Sequence, residues 1–235
     1  MRVVVAEPPR ADPLRELRRL VAAYSRAPGT DVRSVAVVGN APLEPSAARA
    51  AAIDACDLVV RVNSFVLDTA GSPPTQGKRV DVVLWSRLVR ATPHLFDRYR
   101  ERLYVLLEPM RMYGRREVWP ASWPADLGLV AAPNGAVAVP LNEELGLPWR
   151  EEQLAPTTGT TAAWLARQLF PGAELVLTGL SFVDAPDQST WEHQWGDSVR
   201  VGPEHRIAAE AALVRRWRDE GRVRMLPLTG DQEAS

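Results

Sequence analysis

The sequence predicts an α/β fold, a mostly parallel sheet with helices on both faces. Three observations carry this. Short apolar runs alternate along the chain with segments of helical period. Several of those runs end at a glycine or an asparagine (Gly39-Asn40, Asn63, Gly179). The chain has 235 residues, 46% hydrophobic and 24% charged, enough for one soluble domain with a full core.

Taken in order, residues 3–5 read as a short strand or a loose apolar tip. Residues 13–25 read as an amphipathic helix, with Leu14, Leu17, Leu20 and Val21 on one face and Pro28-Gly29 as its stop. A strand at 35–38, a helix at 46–52 and a second strand at 58–62 follow. Residues 69–77, rich in Gly, Pro and Thr, read as a surface loop. A third strand is expected at 80–85, a helix at 93–102 and a fourth strand at 103–107. Residues 108–132 have no clean period and hold Met110, Met112, Tyr113, Trp119 and Trp123. They read as irregular packing, or as a lid or acceptor-side loop.

Residues 136–139 read as a short strand and 141–147 as a short helix. A helix begins at Thr157 and stops at Pro171-Gly172. An apolar strand at 174–178 ends at Gly179, and a polar loop spans 184–202. The last helix, 204–219, offers Ile207, Ala211, Leu213, Val214 and Trp217 for packing, and a last strand covers 223–226. The chain reads as one domain over 1–235. Residues 1–33 form a helix and linker ahead of the core, and 230–235 are a disordered tail.

Net charge of −1 gives no general attraction to nucleic acid or to a membrane surface. Cys56 is the only cysteine, so no disulfide can form within the chain, and a reducing, cytoplasmic setting is expected. No apolar run is long enough to span a bilayer, and no secretory leader is recognisable. The carboxylates are scattered, so no metal site is expected. The fingerprints Gly-x-Gly-x-x-Gly and Gly-x-Ser-x-Gly and the Walker-type phosphate loop are missing.

In parallel α/β sheets ligands bind beyond the carboxyl ends of the strands. Asn40, Asn63 and the loop after Gly179 all fall there. Gly39 allows close backbone approach, and the helix start that follows carries free N–H groups and partial positive charge, which suit phosphate. A plain strand-to-helix turn is the other reading of Gly39-Asn40. The turn Pro156-Thr157-Thr158-Gly159 opens another helix with two hydroxyls, either as a phosphate or base cradle or as a simple N-cap. Of the three histidines, His94 reads as a surface or capping residue. His193 and His205 lie in or beside one polar loop, and a helix start disfavours a charged imidazole and so suits a general base. Glu210 lies five residues beyond His205, not stacked on it along a helix.

Read together, these pieces resemble the animal-type sialyltransferases of glycosyltransferase family 29, which use CMP-sialic acid. The family's long motif is matched by Val37-Val38-Gly39-Asn40, Ile53-Asp54 and Asp57 through Arg61 to Asn63. Its short motif is matched by Pro156-Thr157-Thr158-Gly159 and by the strand ending Gly179-Leu180. His193-Gln194-Trp195 is a loose match to the third motif, and His205 to Glu210 matches the last, H-x-x-x-x-E. The resemblance spans about residues 35–210 and leaves 108–154 uncovered.

It implies a single-domain, Rossmann-like, GT-A-like, metal-independent inverting glycosyltransferase, with a CMP-activated, sialic acid-like sugar as donor substrate, no cofactor, and an unknown acceptor hydroxyl. Under it, Gly39, Asn40 and Asn63 would meet the phosphate and ribose, and Thr157, Thr158 and Gly159 the cytidine. His193 would meet the departing phosphate, and His205 would take the acceptor's proton. A hydrolase for CMP-sugars or nucleotides, and a non-catalytic nucleotide-binding protein, are the alternatives. Two departures stand out. Val35 and Ala36 occupy the place of a cysteine that the family bridges to the short motif. Gln194 and Gly196 stand where the family has an aromatic residue and an acid.

Overall fold

The computed structural model describes residues 12–86, 92–107 and 123–230. The expected strand at 3–5, the part of the aperiodic stretch carrying Met110, Met112, Tyr113 and Trp119, and the tail beyond Gly230 lie outside the described residues. In chain order the strands are β1 (Ser34–Val38), β2 (Leu58–Val62), β3 (Val82–Trp85), β4 (Leu103–Leu106), β5 (Leu129–Ala131), β6 (Glu174–Thr178), β7 (Thr190–Glu192), β8 (Ser198–Arg200) and β9 (Val223–Met225). Seven of them form one sheet in the order β5-β4-β3-β2-β1-β6-β9. Every pairing in it is parallel. β7 and β8 pair with each other as an antiparallel hairpin.

The apolar runs have residues to bury on both sides, and the pleat sorts them. Val35, Val37, Val60, Leu84, Val105 and Leu177 point to one face. There they meet α1 (Pro13–Ala22), α3 (Ala138–Leu145), α5 (Thr158–Leu169) and α6 (Ile207–Asp219). On the other face Ala36, Val38, Val59 and Val176 pack on Ile53 of α2 (Ala47–Ala55). Further along that face Phe65 and Leu95 cover Val83, Trp85, Tyr104 and Leu106. Burying each such side chain contributes about 1.5–3 kcal/mol, which is why the strands keep their register.

The polar residues of the long motif act as clamps. Asp57 accepts from the amides of Arg33 (2.8 Å) and Ser34 (3.2 Å), tying the start of β1 to that of β2. Asp54 accepts from the amides of Lys78 and Arg79. Arg61 is fully buried and donates to the carbonyls of Arg79 (2.9 Å) and Gln76 (2.8 Å). Burial lowers its pKa to about 10, so it remains charged at neutral pH.

Several expectations need correction. Residues 93–102 form turns and one 3-10 turn at Tyr99–Glu101 rather than a helix. Carbonyls that a helix would use are taken by side chains: His94 O accepts from Arg102 at 2.7 Å and Leu95 O from Tyr104 Oη at 2.6 Å. Arg98, with φ 52°, also breaks the helical path. The expected strand at 136–139 is a turn that runs into the first residues of α3, which is capped by Gly146 in the left-handed conformation (φ 67°). A short helix, α4 (Trp149–Glu152), and strand β5 carried no clear period. The polar loop 184–202 contains the β7–β8 hairpin.

Candidate functional site

The sheet order reverses between β1 and β6. On one side the chain runs through β2 to β5, and on the other through β9. A crevice opens beyond the carboxyl ends of strands at such a point. Here a cleft of about 140 Å³ lies there, lined among others by Gly39, Asn40, Asn63, Thr157, Thr158, Gly159, His193 and His205. All eight candidate site residues therefore share one cavity, although 166 positions separate the first from the last (205 − 39). Leu180, Phe182, Trp191 and Glu192 complete much of the wall.

The floor is a contact between two glycines. Gly39 N donates to Thr178 O (2.8 Å) and Ala41 N to Gly179 O (3.0 Å). A Cβ on Gly39 would collide with the Gly179 carbonyl, and Gly179 itself has φ +71°. Leu180 then fills the gap: its Cδ2 would lie 2.7 Å from a Cβ on Gly39 and 2.6 Å from one on Gly159. The long and short motifs are thus joined without a disulfide. A hydrogen bond from Asn63 Nδ2 to Thr158 Oγ1 (3.3 Å) adds a polar link between them. Cys56 is buried and free.

The two asparagines present different chemistry. Asn40 Nδ2 donates to Val62 O at 2.9 Å, which fixes the amide's orientation because a carbonyl only accepts. Its Oδ1 is buried without a partner among the described residues. Asn63, held at φ 52°, accepts at Oδ1 from Ser86 N (3.2 Å), so its Nδ2 is on the Thr158 side. Asn40 is an acceptor and Asn63 a donor.

Thr157 caps α5. Its Oγ1 accepts from Thr160 N at 3.2 Å and donates to Glu210 Oε2 at 2.6 Å, and Thr157 N reaches the same oxygen at 3.0 Å. Of the four orphan amides at this helix start, those of Thr157 and Thr160 are used, and the other two belong to Thr158 and Gly159, residues that line the cleft. Glu210, fully buried, is the far end of the H-x-x-x-x-E motif. It holds the short motif, a role its spacing from His205 did not reveal.

His205 Nδ1 lies 2.7 Å from Ala155 O. The carbonyl cannot donate, so Nδ1 carries the hydrogen and Nε2 is left as the basic nitrogen. His205 precedes α6 by two residues rather than starting it. His193 Nδ1 lies 2.6 Å from Asp197 Oδ1, and its ring stacks on Trp195 with centroids 4.6 Å apart and planes at 13°. Sequence reasoning missed Asp197, because four residues apart in a loop is no signal unless the loop is a hairpin.

An all-parallel α/β sheet with a mixed amide, hydroxyl and imidazole cleft at its switch point is a Rossmann-like, doubly wound architecture. Within that class, the fold is sialyltransferase-like. A crystal structure of a mammalian sialyltransferase superposes with a TM-score of 0.54 at 15% identity, covering 88% of this chain and 77% of that one. A second, of a mammalian sialyltransferase in complex with Gal-beta-1-3GalNAc-ortho-nitrophenol, gives the same TM-score and identity over 88% and 78%. No protein-family model matches the sequence, and no curated protein sequence matches it with significance. Among the described residues no helix is long and apolar enough to cross a membrane.

Proposed function

We propose that this chain is a glycosyltransferase that moves a sialic acid-like sugar from a CMP-activated donor to an acceptor hydroxyl, with inversion, without a metal and in the cytoplasm. The carrying observation is that His205 has its Nδ1–H committed to Ala155 O while it lines the same cleft as the free start of α5. The acceptor oxygen attacks the anomeric carbon as its proton passes to His205 Nε2. The bond from that carbon to the phosphate oxygen breaks, and the electron pair stays on CMP. The amides of Thr158 and Gly159, Asn63 Nδ2 and His193 are donors for the phosphate charge that develops. Asn40, whose remaining group is an acceptor, suits a ribose hydroxyl or a base amine better than a phosphate oxygen. A buried acceptor without a donor costs about 1–3 kcal/mol, which such a ligand group would relieve.

A thermal-shift panel of CMP, CDP, UMP, AMP and NAD tests the donor. CMP at about 100 times its Kd stabilises by about 2.7 kcal/mol, so Tm rises by roughly 5–10 °C. Stabilisation by NAD alone overturns the reading. His205→Ala is expected to keep the CMP shift and to lose transfer by about 10²–10⁴-fold. Sugar released without any acceptor identifies a hydrolase. CMP binding with no turnover of any tested donor identifies a nucleotide-binding protein that has lost its chemistry.

A further inference from the structure

We propose that Gln194 and Asp197 are positioning residues for His193: Gln194 straps the hairpin tip to the Gly39-Asn40 turn, and Asp197 sets the imidazole's tautomer and orientation. This rests on the reading of His193 as the group that meets the departing phosphate. Gln194 stands where the resembled family has an aromatic residue, and Asp197 follows Gly196, which stands where that family has an acid.

Gln194 makes two bonds to adjacent carbonyls. Its backbone N donates to Asn40 O at 3.0 Å and its Nε2 to Gly39 O at 3.2 Å. One residue therefore takes both outward carbonyls of the turn that forms the cleft floor. An aromatic ring at 194 would lack the terminal amide that reaches Gly39 O here. His193 is the adjacent residue, so its backbone is tied to the floor through this strap.

The ring is fixed from two further sides. The turn closes through His193 N to Asp197 O (3.0 Å) and Gly196 N to His193 O (2.8 Å), with Gly196 at φ +82°. That turn carries the acid, one position later than the pattern expects, back beside the ring at 2.6 Å. An ionised carboxylate only accepts, so Nδ1 carries a hydrogen and Nε2 is the nitrogen left for substrate, a donor to it when the ring is an imidazolium. Trp195 covers one ring face. Orientation of this kind matters because a misplacement of about 1 Å can cost about 100-fold in rate.

The test is ¹⁵N NMR of the His193 ring in wild type, Asp197→Ala, Asp197→Asn and Gln194→Met, with and without CMP. Wild type is expected to show hydrogen on Nδ1. Asp197→Ala should shift the ring towards the Nε2–H tautomer, and Asp197→Asn, which keeps an acceptor, should restore the wild-type pattern. Gln194→Met fills the same space without the donor and should speed hydrogen exchange at the hairpin amides and weaken the response of the ring to CMP. An unchanged tautomer in Asp197→Ala, or unchanged exchange in Gln194→Met, overturns the proposal. A wild-type ring that responds to CMP, with the same response in both loss-of-contact variants, also overturns it. A wild-type ring that follows Asp197 but ignores CMP leaves the positioning standing and removes the phosphate role instead.

Discussion

A Cβ added to Gly39 would run into backbone, the Gly179 carbonyl, whereas one added to Gly159 would meet only Leu180 Cδ2 at 2.6 Å. The difference decides the two substitutions. Backbone locked in parallel pairing between Val38 and Thr178 cannot give way, so Gly39→Ala should cost about 2–3 kcal/mol and lower Tm by roughly 5–10 °C. The far end of a leucine can rotate, and alanine gains up to about 1 kcal/mol over glycine inside a helix. Gly159→Ala should therefore change Tm little, and paired melting curves check both. Equal Tm losses would mean that the two glycines are packed alike, contrary to this geometry. The sequence marked Gly39 as a place for close backbone approach, but to a phosphate. That it is Gly179 which makes the approach was not legible, because a strand end does not announce its neighbour across the sheet.

The start of α5 is set by a residue on α6. Glu210 and Thr157 are 53 positions apart, and the carboxylate takes both the amide and the hydroxyl of Thr157. Glu210→Ala would leave those donors buried and unpaired, at a cost of about 2–4 kcal/mol. Glu210→Gln keeps an acceptor oxygen in place and should cost about 1 kcal/mol. Urea unfolding measures both, and CMP affinity should fall only in the alanine variant, where the helix start loses its anchor. Elements were legible where one face or both were apolar: β2 and β6 have the bounds that their apolar runs suggest. They were illegible where side chains replace backbone partners. Arg102 and Tyr104 divert the carbonyls that a helix over 93–102 would need. The β7–β8 hairpin is mostly exposed, so it has no buried stripe to betray it.

At the scale of the molecule, the parallel architecture followed from alternation of strands and helices, while the strand order did not. β6 lies beside β1, bringing Gly179 and the α5 start to the edge already holding Asn40 and Asn63. The opposite face, built from loops over Trp85 and Tyr104, carries the half-buried His94. Burial lowers the His94 pKa below its usual 6.5; the Arg102 and Arg61 charges push the same way and Asp97 opposes them. The unfolded chain therefore binds a proton on this histidine at a pH where the folded chain does not. Its effect is absent well above pH 6.5, and stability is lost as pH falls through that value. Asp81 has the opposite sense: its pKa is raised from 3.8, chiefly by burial, so protonation favours the folded state at lower pH. The range from pH 7 to 5 spans the ordinary imidazole value of 6.5. His94→Gln, which cannot titrate, should lose less stability than wild type between those two values. Urea midpoints at pH 7 and pH 5 for both proteins give the comparison, and equal losses would assign the acid sensitivity to another group.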